Sequence, residues 1–114
     1  MLRAVIVEDN VLTAELIAGI IETCCPQVEI KGVAHDIDNA VKTIQENSPN
    51  LVLFDINLRG GTSFDILKKL DHINFKIIFI TSFDTYAIKA IKLSALDYLL
   101  KPVNAVELTN AIQK

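Results

Sequence analysis

The chain has 114 residues, 51% of them hydrophobic and 22% charged, with a formal net charge of -3. That size and composition predict one folded domain spanning residues 1–114, and exclude a disordered chain. No basic run occurs, which excludes a domain that grips nucleic acid by itself, since phosphate contacts need clustered Lys and Arg.

The two cysteines, Cys24 and Cys25, are adjacent and offer neither a disulfide framework nor a metal spacing, so they read as reduced. Met1–Asp9 breaks into charge after a short apolar run, too early for a signal peptide or a membrane helix. The expectation is a soluble, cytoplasmic protein without membrane association.

Strand and helix patterns alternate along the chain. Ala4-Val5-Ile6-Val7 is a buried-strand run that ends at Glu8-Asp9. Asn10 is placed to cap a helix with Leu12, Leu16, Ile17, Ile20 and Ile21 at helical spacing, stopping before Pro26. Residues 28–33 alternate apolar and polar, as a half-exposed strand does. Asp36 caps a helix carrying Ile37, Ala40, Val41 and Ile44, which ends at Asn47-Ser48-Pro49.

Leu51-Val52-Leu53-Phe54 then runs straight into Asp55, with a Gly60-Gly61 turn beyond. Thr62 and Asp65 form a capping box for a helix with Phe64, Ile66, Leu67 and Leu70. Ile77 to Ile80 is a third apolar strand, ending at Thr81-Ser82. Asp84 caps a fourth helix with Ala87, Ala90 and Ile91 inward. Residues 95–100 form a mixed strand, and Lys101-Pro102 and Asn104 lead into a last helix with Leu108, Ala111 and Ile112.

Five strand–helix pairs imply an α/β, doubly wound (βα)5 fold of the flavodoxin-like type, with right-handed crossovers. The first, third and fourth strands are apolar throughout and belong in the centre, while the second and fifth suit the edges. This gives a parallel five-stranded sheet in the order 2-1-3-4-5, with its switch point between the first and third strands.

That switch point gathers Glu8, Asp9 and Asp55. Two carboxylates about 4 Å apart repel by roughly 4 kcal/mol at an effective dielectric near 20. At one strand end such acids are merely solvated; at two adjacent strand ends they favour a divalent cation. All-oxygen ligands point to Mg²⁺ or Mn²⁺. Thr81 and Ser82 bring hydroxyls to the same edge, and Lys101 brings an ammonium. A phosphorylated Asp55 would need such a metal, cation and hydroxyl donor. Pro102 is a cis-peptide candidate, because a cis Lys101-Pro102 bond would turn Lys101 inward. His35 and His72 have no partners at ligand spacing and read as surface residues.

Glu8-Asp9, Asp55, Thr81 and Lys101-Pro102, each at a strand end, resemble the receiver domain of two-component response regulators over the whole chain. Residues 83–90 and 95–102 further resemble receivers of the LytTR (LytR/AlgR) group. The resemblance implies a CheY-like phosphoacceptor, not an enzyme, in which Asp55 takes phosphate from a sensor histidine kinase. It implies Mg²⁺ (or Mn²⁺) held by Glu8, Asp9, Asp55 and the Asn57 main-chain carbonyl. Thr81 would donate to the phosphoryl group, Lys101 would pair with it, and Tyr98 would be the aromatic switch. The surface of the fourth helix, fifth strand and fifth helix would change, and is a homodimer candidate, with Ile88, Lys89 and Lys92 outward. The chain would be the N-terminal part of a longer transcription regulator, reaching DNA only through a C-terminal domain of LytTR type.

Arg59 and Ser63 stand where many receivers carry Pro and Gly. Ser82 replaces a common Ala, and bulky Phe83 sits where phosphate lifetime is tuned. Three rivals are a phosphatase with a strand-end aspartate nucleophile, a flavodoxin-type flavin binder, and a receiver-like docking or dimerisation module that is not phosphorylated. The first lacks a second acid and the second lacks a phosphate loop after the first strand.

Overall fold

A computed structural model describes residues 1–82 and 94–114. Its elements are β1 (Leu2–Val7), α1 (Val11–Cys24), β2 (Val28–Ala34), α2 (Ile37–Asn47), β3 (Leu51–Phe54), β4 (Asn57–Leu58), β5 (Gly61–Thr62), α3 (Ser63–Lys69), β6 (Lys76–Thr81), β7 (Asp97–Leu100) and α4 (Ala105–Gln113). The fourth predicted helix (Asp84, Ala87, Ala90, Ile91), Phe83, and the partner surface of Ile88, Lys89 and Lys92 lie outside the described residues.

The main sheet is wholly parallel, in the order β2-β1-β3-β6-β7. This is the predicted order, with the short β4–β5 hairpin accounting for the higher strand numbers. Alternation along each strand sorts side chains into two layers. Ala4, Ile6, Leu51, Leu53, Ile78 and Ile80 face α1 and α4, where they meet Ile17, Ile21, Leu108 and Ala111. Val5, Val7, Val52, Phe54, Ile77 and Phe79 face α2 and α3, meeting Ala40, Ile44, Phe64 and Ile66. Phe79 anchors the second layer, with ring centroids 5.6 Å from Phe64 and 6.0 Å from Tyr98.

The caps fall where short polar side chains precede apolar periods. Asn10 accepts from the Thr13 N–H at 3.0 Å, Asp36 from the Asn39 N–H at 2.8 Å and Asn104 from the Glu107 N–H at 3.0 Å. Each satisfies a donor that the first helical turn leaves open. Asn39 also donates from Nδ2 to Asp36 Oδ2 at 2.8 Å, and its two bonds hold the Asp36 carboxyl below its usual range.

α1 differs from its expected packing. Ala14, Ile17 and Ile21 are its buried positions, whereas Leu12 and Leu16 are 76% and 51% exposed. The helix is apolar around most of its circumference, so spacing alone does not single out the covered side. Cys24 is exposed, Cys25 is buried at the helix end, and both are free thiols. No helix among the described residues is long and apolar enough to cross a membrane.

Candidate functional site

Four strands, β1, β3, β6 and β7, deliver the site residues to one edge. Beyond β1 the ladder continues for one rung, with the Glu8 N–H donating to the Ala34 carbonyl at 3.0 Å. Asp55 does the same beyond β3, donating to the Val7 carbonyl at 2.8 Å, and Lys101 beyond β7, donating to the Thr81 carbonyl at 2.8 Å. Glu8, Asp55 and Lys101 are therefore carried by backbone that the sheet still holds.

Glu8 is 1% exposed and Asp55 8%. The Lys101 ammonium lies between them, with Nζ 2.5 Å from Glu8 Oε1 and 2.9 Å from Asp55 Oδ2. The Lys101–Pro102 peptide is cis. Asp9, half-buried, completes a group in which one carboxylate oxygen from each of Glu8, Asp9 and Asp55 lies within 4.8 Å of the others. Such a trio fits an oxygen-ligated divalent cation.

Burial pushes the Glu8 carboxyl up to about 7, reinforced by the negative charge of Asp55 and by Asp9. The bonds from Lys101 and from the Asn10 N–H, the latter at 3.1 Å, oppose that rise without cancelling it. Burial acts the other way on Lys101, but its bonds to Glu8 and Asp55 prevail and raise it, so the ammonium stays charged. Among the described residues, the cluster thus sets the Lys101 ammonium against three acids.

Thr81 is fully buried at the end of β6, and its hydroxyl has no hydrogen-bond partner among the described residues. Thr81 shares its side of the sheet with Phe79, two residues back along β6, and with Tyr98, which pairs with Phe79 one strand across. Tyr98 is half-buried against the α2 and α3 layer, and Ser82 is exposed.

The segment after Asp55 folds as an antiparallel hairpin pairing Asn57 with Thr62 and Leu58 with Gly61. Gly60 takes a φ of +89°, the left-handed value that the second corner of a type II turn requires. A Cβ on Gly61 would lie 2.6 Å from Asp65 Oδ2 and 2.9 Å from Ile37 Cδ1. The Asp65 oxygen is occupied there by the Thr62 N–H, at 2.9 Å. Ser63 opens α3 fully buried, its hydroxyl unpartnered among the described residues.

One neighbour of the site departs from its reading as a surface residue. His35 is half-buried, and its Nδ1 lies 2.8 Å from the Glu8 carbonyl. No spacing signals such a contact, because its partner is main chain. His72, by contrast, is exposed.

A five-stranded, doubly wound sheet with acids, a lysine and a threonine at its carboxyl edge is the architecture of a signalling receiver. The chain belongs to the response regulator receiver domain family, which matches residues 4–113. It is 34% identical to the sensory transduction protein LytT of Bacillus subtilis, covering 100% of this chain and 48% of that protein. LytT of Enterococcus faecalis is 31% identical, over 99% of this chain and 47% of its own length. The chain therefore spans about half the length of the curated relatives it matches.

Among solved structures, a LuxR-family DNA-binding response regulator from Staphylococcus aureus superposes with a TM-score of 0.88 at 28% identity, covering 99% of this chain and 97% of that one. The response regulatory domain of protein mrkE from Klebsiella pneumoniae gives 0.87 at 29% identity, over 97% and 92% of the two chains. Family membership sets the phosphatase and flavin readings aside.

Proposed function

We propose that this domain is the phosphoacceptor of a two-component response regulator, switched by phosphorylation of Asp55. The observation that carries the reading is the convergence of the Glu8, Asp9 and Asp55 carboxylates within 4.8 Å, beside the Lys101 ammonium. An Asp55 carboxylate oxygen attacks the phosphorus of a phosphohistidine on a sensor histidine kinase. The new O–P bond forms as the P–N bond breaks, and the histidine nitrogen takes up a proton.

Glu8, Asp9, Asp55 and the Asn57 main-chain carbonyl would hold Mg²⁺ (or Mn²⁺), which neutralises charge on the phosphoryl oxygens. Lys101 pairs with a second oxygen and the Thr81 hydroxyl donates to a third. That hydroxyl is buried and has no partner among the described residues, which supports this role, since burying such a group without a bond costs about 1–3 kcal/mol. Drawing Thr81 toward the phosphate frees space for the Tyr98 ring to turn inward. A local charge then biases a packed element between two arrangements.

The altered face would include β7 and α4 and would pass the signal to a partner copy or an attached domain. We place this domain at the N-terminal end of a longer cytoplasmic regulator, with DNA bound by a separate LytTR-type domain. The LytT relatives are about twice as long as this chain, which supports a longer protein.

Intact-mass measurement after incubation with acetyl phosphate tests the reading. Addition of one phosphoryl group is expected, requiring both Mg²⁺ and Asp55, and lost completely in Asp55→Asn. No addition under conditions where another receiver reacts would favour the docking-module reading instead.

A further inference from the structure

Glu8 leaves β1 with both its main-chain polar groups engaged by consecutive residues of the β2 edge. Its N–H donates to the Ala34 carbonyl at 3.0 Å, and its carbonyl lies 2.8 Å from Nδ1 of His35. In a parallel ladder a residue that donates to one neighbour accepts from the neighbour two places on. After Ala34 that rung would fall to the main chain of residue 36, where the chain already turns into α2. The His35 ring reaches the carbonyl at this point.

A carbonyl only accepts, so Nδ1 carries the proton of the neutral ring and Nε2 does not. The Glu8 carbonyl shares a rigid plane with the Asp9 nitrogen. A bond that fixes the plane also fixes the direction in which Asp9 leaves the sheet. Asp9 is the least enclosed of the three acids, so its aim depends most on the backbone beneath it. The ring also lines a cleft of about 210 Å³ with Val33 of β2 and Val11, Ala14, Glu15 and Ala18 of α1.

We propose that His35 is a positioning residue for the acid cluster, its Nδ1–H orienting the Glu8–Asp9 peptide so that both carboxylates converge with Asp55 on one cation. The inference rests on reading the cluster as a metal centre. It assigns the ring a role through a donor, separate from its packing.

Three substitutions separate the two. His35→Phe keeps a ring and removes the donor. His35→Asn sets an amide nitrogen at the position of Nδ1, and His35→Gln carries it one carbon too far. Mn²⁺ is the probe, followed by the resonance of the free ion, with Mg²⁺ as competitor; thermal midpoints are taken in chelator.

Outer partners of metal ligands commonly govern 10- to 100-fold in affinity. His35→Phe and His35→Gln are expected to bind Mn²⁺ about tenfold or more weakly, with midpoints in chelator lowered by no more than the loss of one hydrogen bond, and His35→Asn to recover most of the lost affinity. The Glu8 carbonyl carbon and Asp9 amide nitrogen shifts should move in His35→Phe and return in His35→Asn. Equal Mn²⁺ affinity in all four proteins overturns the proposal while leaving the metal centre standing. Recovery by Phe but not Asn also overturns it, in favour of packing. A parent protein that binds no Mn²⁺ brings down the metal centre, and this inference with it.

Discussion

The two edges of the sheet solve opposite problems. At the amino edge, short links satisfy the strand ends: Asn50 Oδ1 accepts from the Arg3 N–H at 2.6 Å, and the Asn50 N–H donates to the Arg3 carbonyl at 2.9 Å. The Asn50 carbonyl in turn accepts from Lys76 at 3.0 Å, and the Arg3 guanidinium reaches the Ser48 carbonyl at 3.1 Å. At the carboxyl edge, charges of both signs are buried together and the Thr81 and Ser63 hydroxyls go without partners among the described residues. One edge is built for the free energy of the fold. The other keeps polar groups ready for an incoming anion and its metal, at a cost the core has to cover.

The largest effect is expected where that cost is held in check. Lys101 is the ammonium shared by two buried carboxylates, and its side chain is only 19% exposed. Breaking a buried ion pair by removing one partner costs about 3–5 kcal/mol, because the remaining charge is stranded. Lys101→Met should therefore lower unfolding free energy by about that much in chelator. Millimolar Mg²⁺ should restore part of it by mass action. Urea melts with and without Mg²⁺ read both quantities; a variant as stable as the parent would mean the carboxylates do not depend on Lys101.

A second contrast lies within the carboxyl edge itself. Gly61→Ala forces a methyl against Asp65 Oδ2, at 2.6 Å, and Ile37. The substitution should cost about 1–3 kcal/mol, as overpacking does, and displace the hairpin that follows Asp55. The rate of phosphoryl gain should fall along with stability. Loss of stability alone would separate the hairpin from the chemistry.

How much of this was visible in the residues follows from what kind of contact each feature uses. β1, β3 and β6 are buried on both faces, so their apolar runs stand out, and the order of the sheet follows from which strands carry charge. The convergence of Glu8, Asp9, Asp55 and Lys101 was legible because each closes a strand, and the architecture brings strand ends together. The exposure of Leu12 and Leu16 was not legible, since a helix apolar on most sides carries no mark of the side the sheet covers. The β4–β5 pairing involves two residues per strand, too few for any period to show. His35 acts on a carbonyl, and main-chain partners leave no trace in side-chain spacing.

The amino edge supplies the opposite test. Asn50→Ala removes the acceptor of the Arg3 N–H, and the loss of such a bond near solvent is worth about 1 kcal/mol. Unfolding should become easier by about that amount, with phosphoryl gain at Asp55 unchanged. A change in the phosphorylation rate would show that the two edges are coupled through the sheet.

The smallest effect belongs to Asp97, where β7 begins. Lys114 Nζ lies 2.7 Å from its Oδ2, and the Tyr98 N–H donates to its Oδ1 at 2.8 Å. Partial burial pushes the carboxyl up, but those two bonds outweigh it and hold it below its ordinary value of 3.8. A depressed folded value means stability that is present above the unfolded value and fades as pH falls through the folded one. The Lys114 side chain is 54% exposed, so screening keeps the contribution under about 1 kcal/mol. Asp97→Asn should therefore be slightly less stable than the parent at pH 7 in low salt, and the gap should close both as pH falls through the depressed folded value and in high salt. A gap that survives both conditions would assign the effect to the Tyr98 backbone contact. The ion pair joining β7 to the end of α4 would then add nothing to this face.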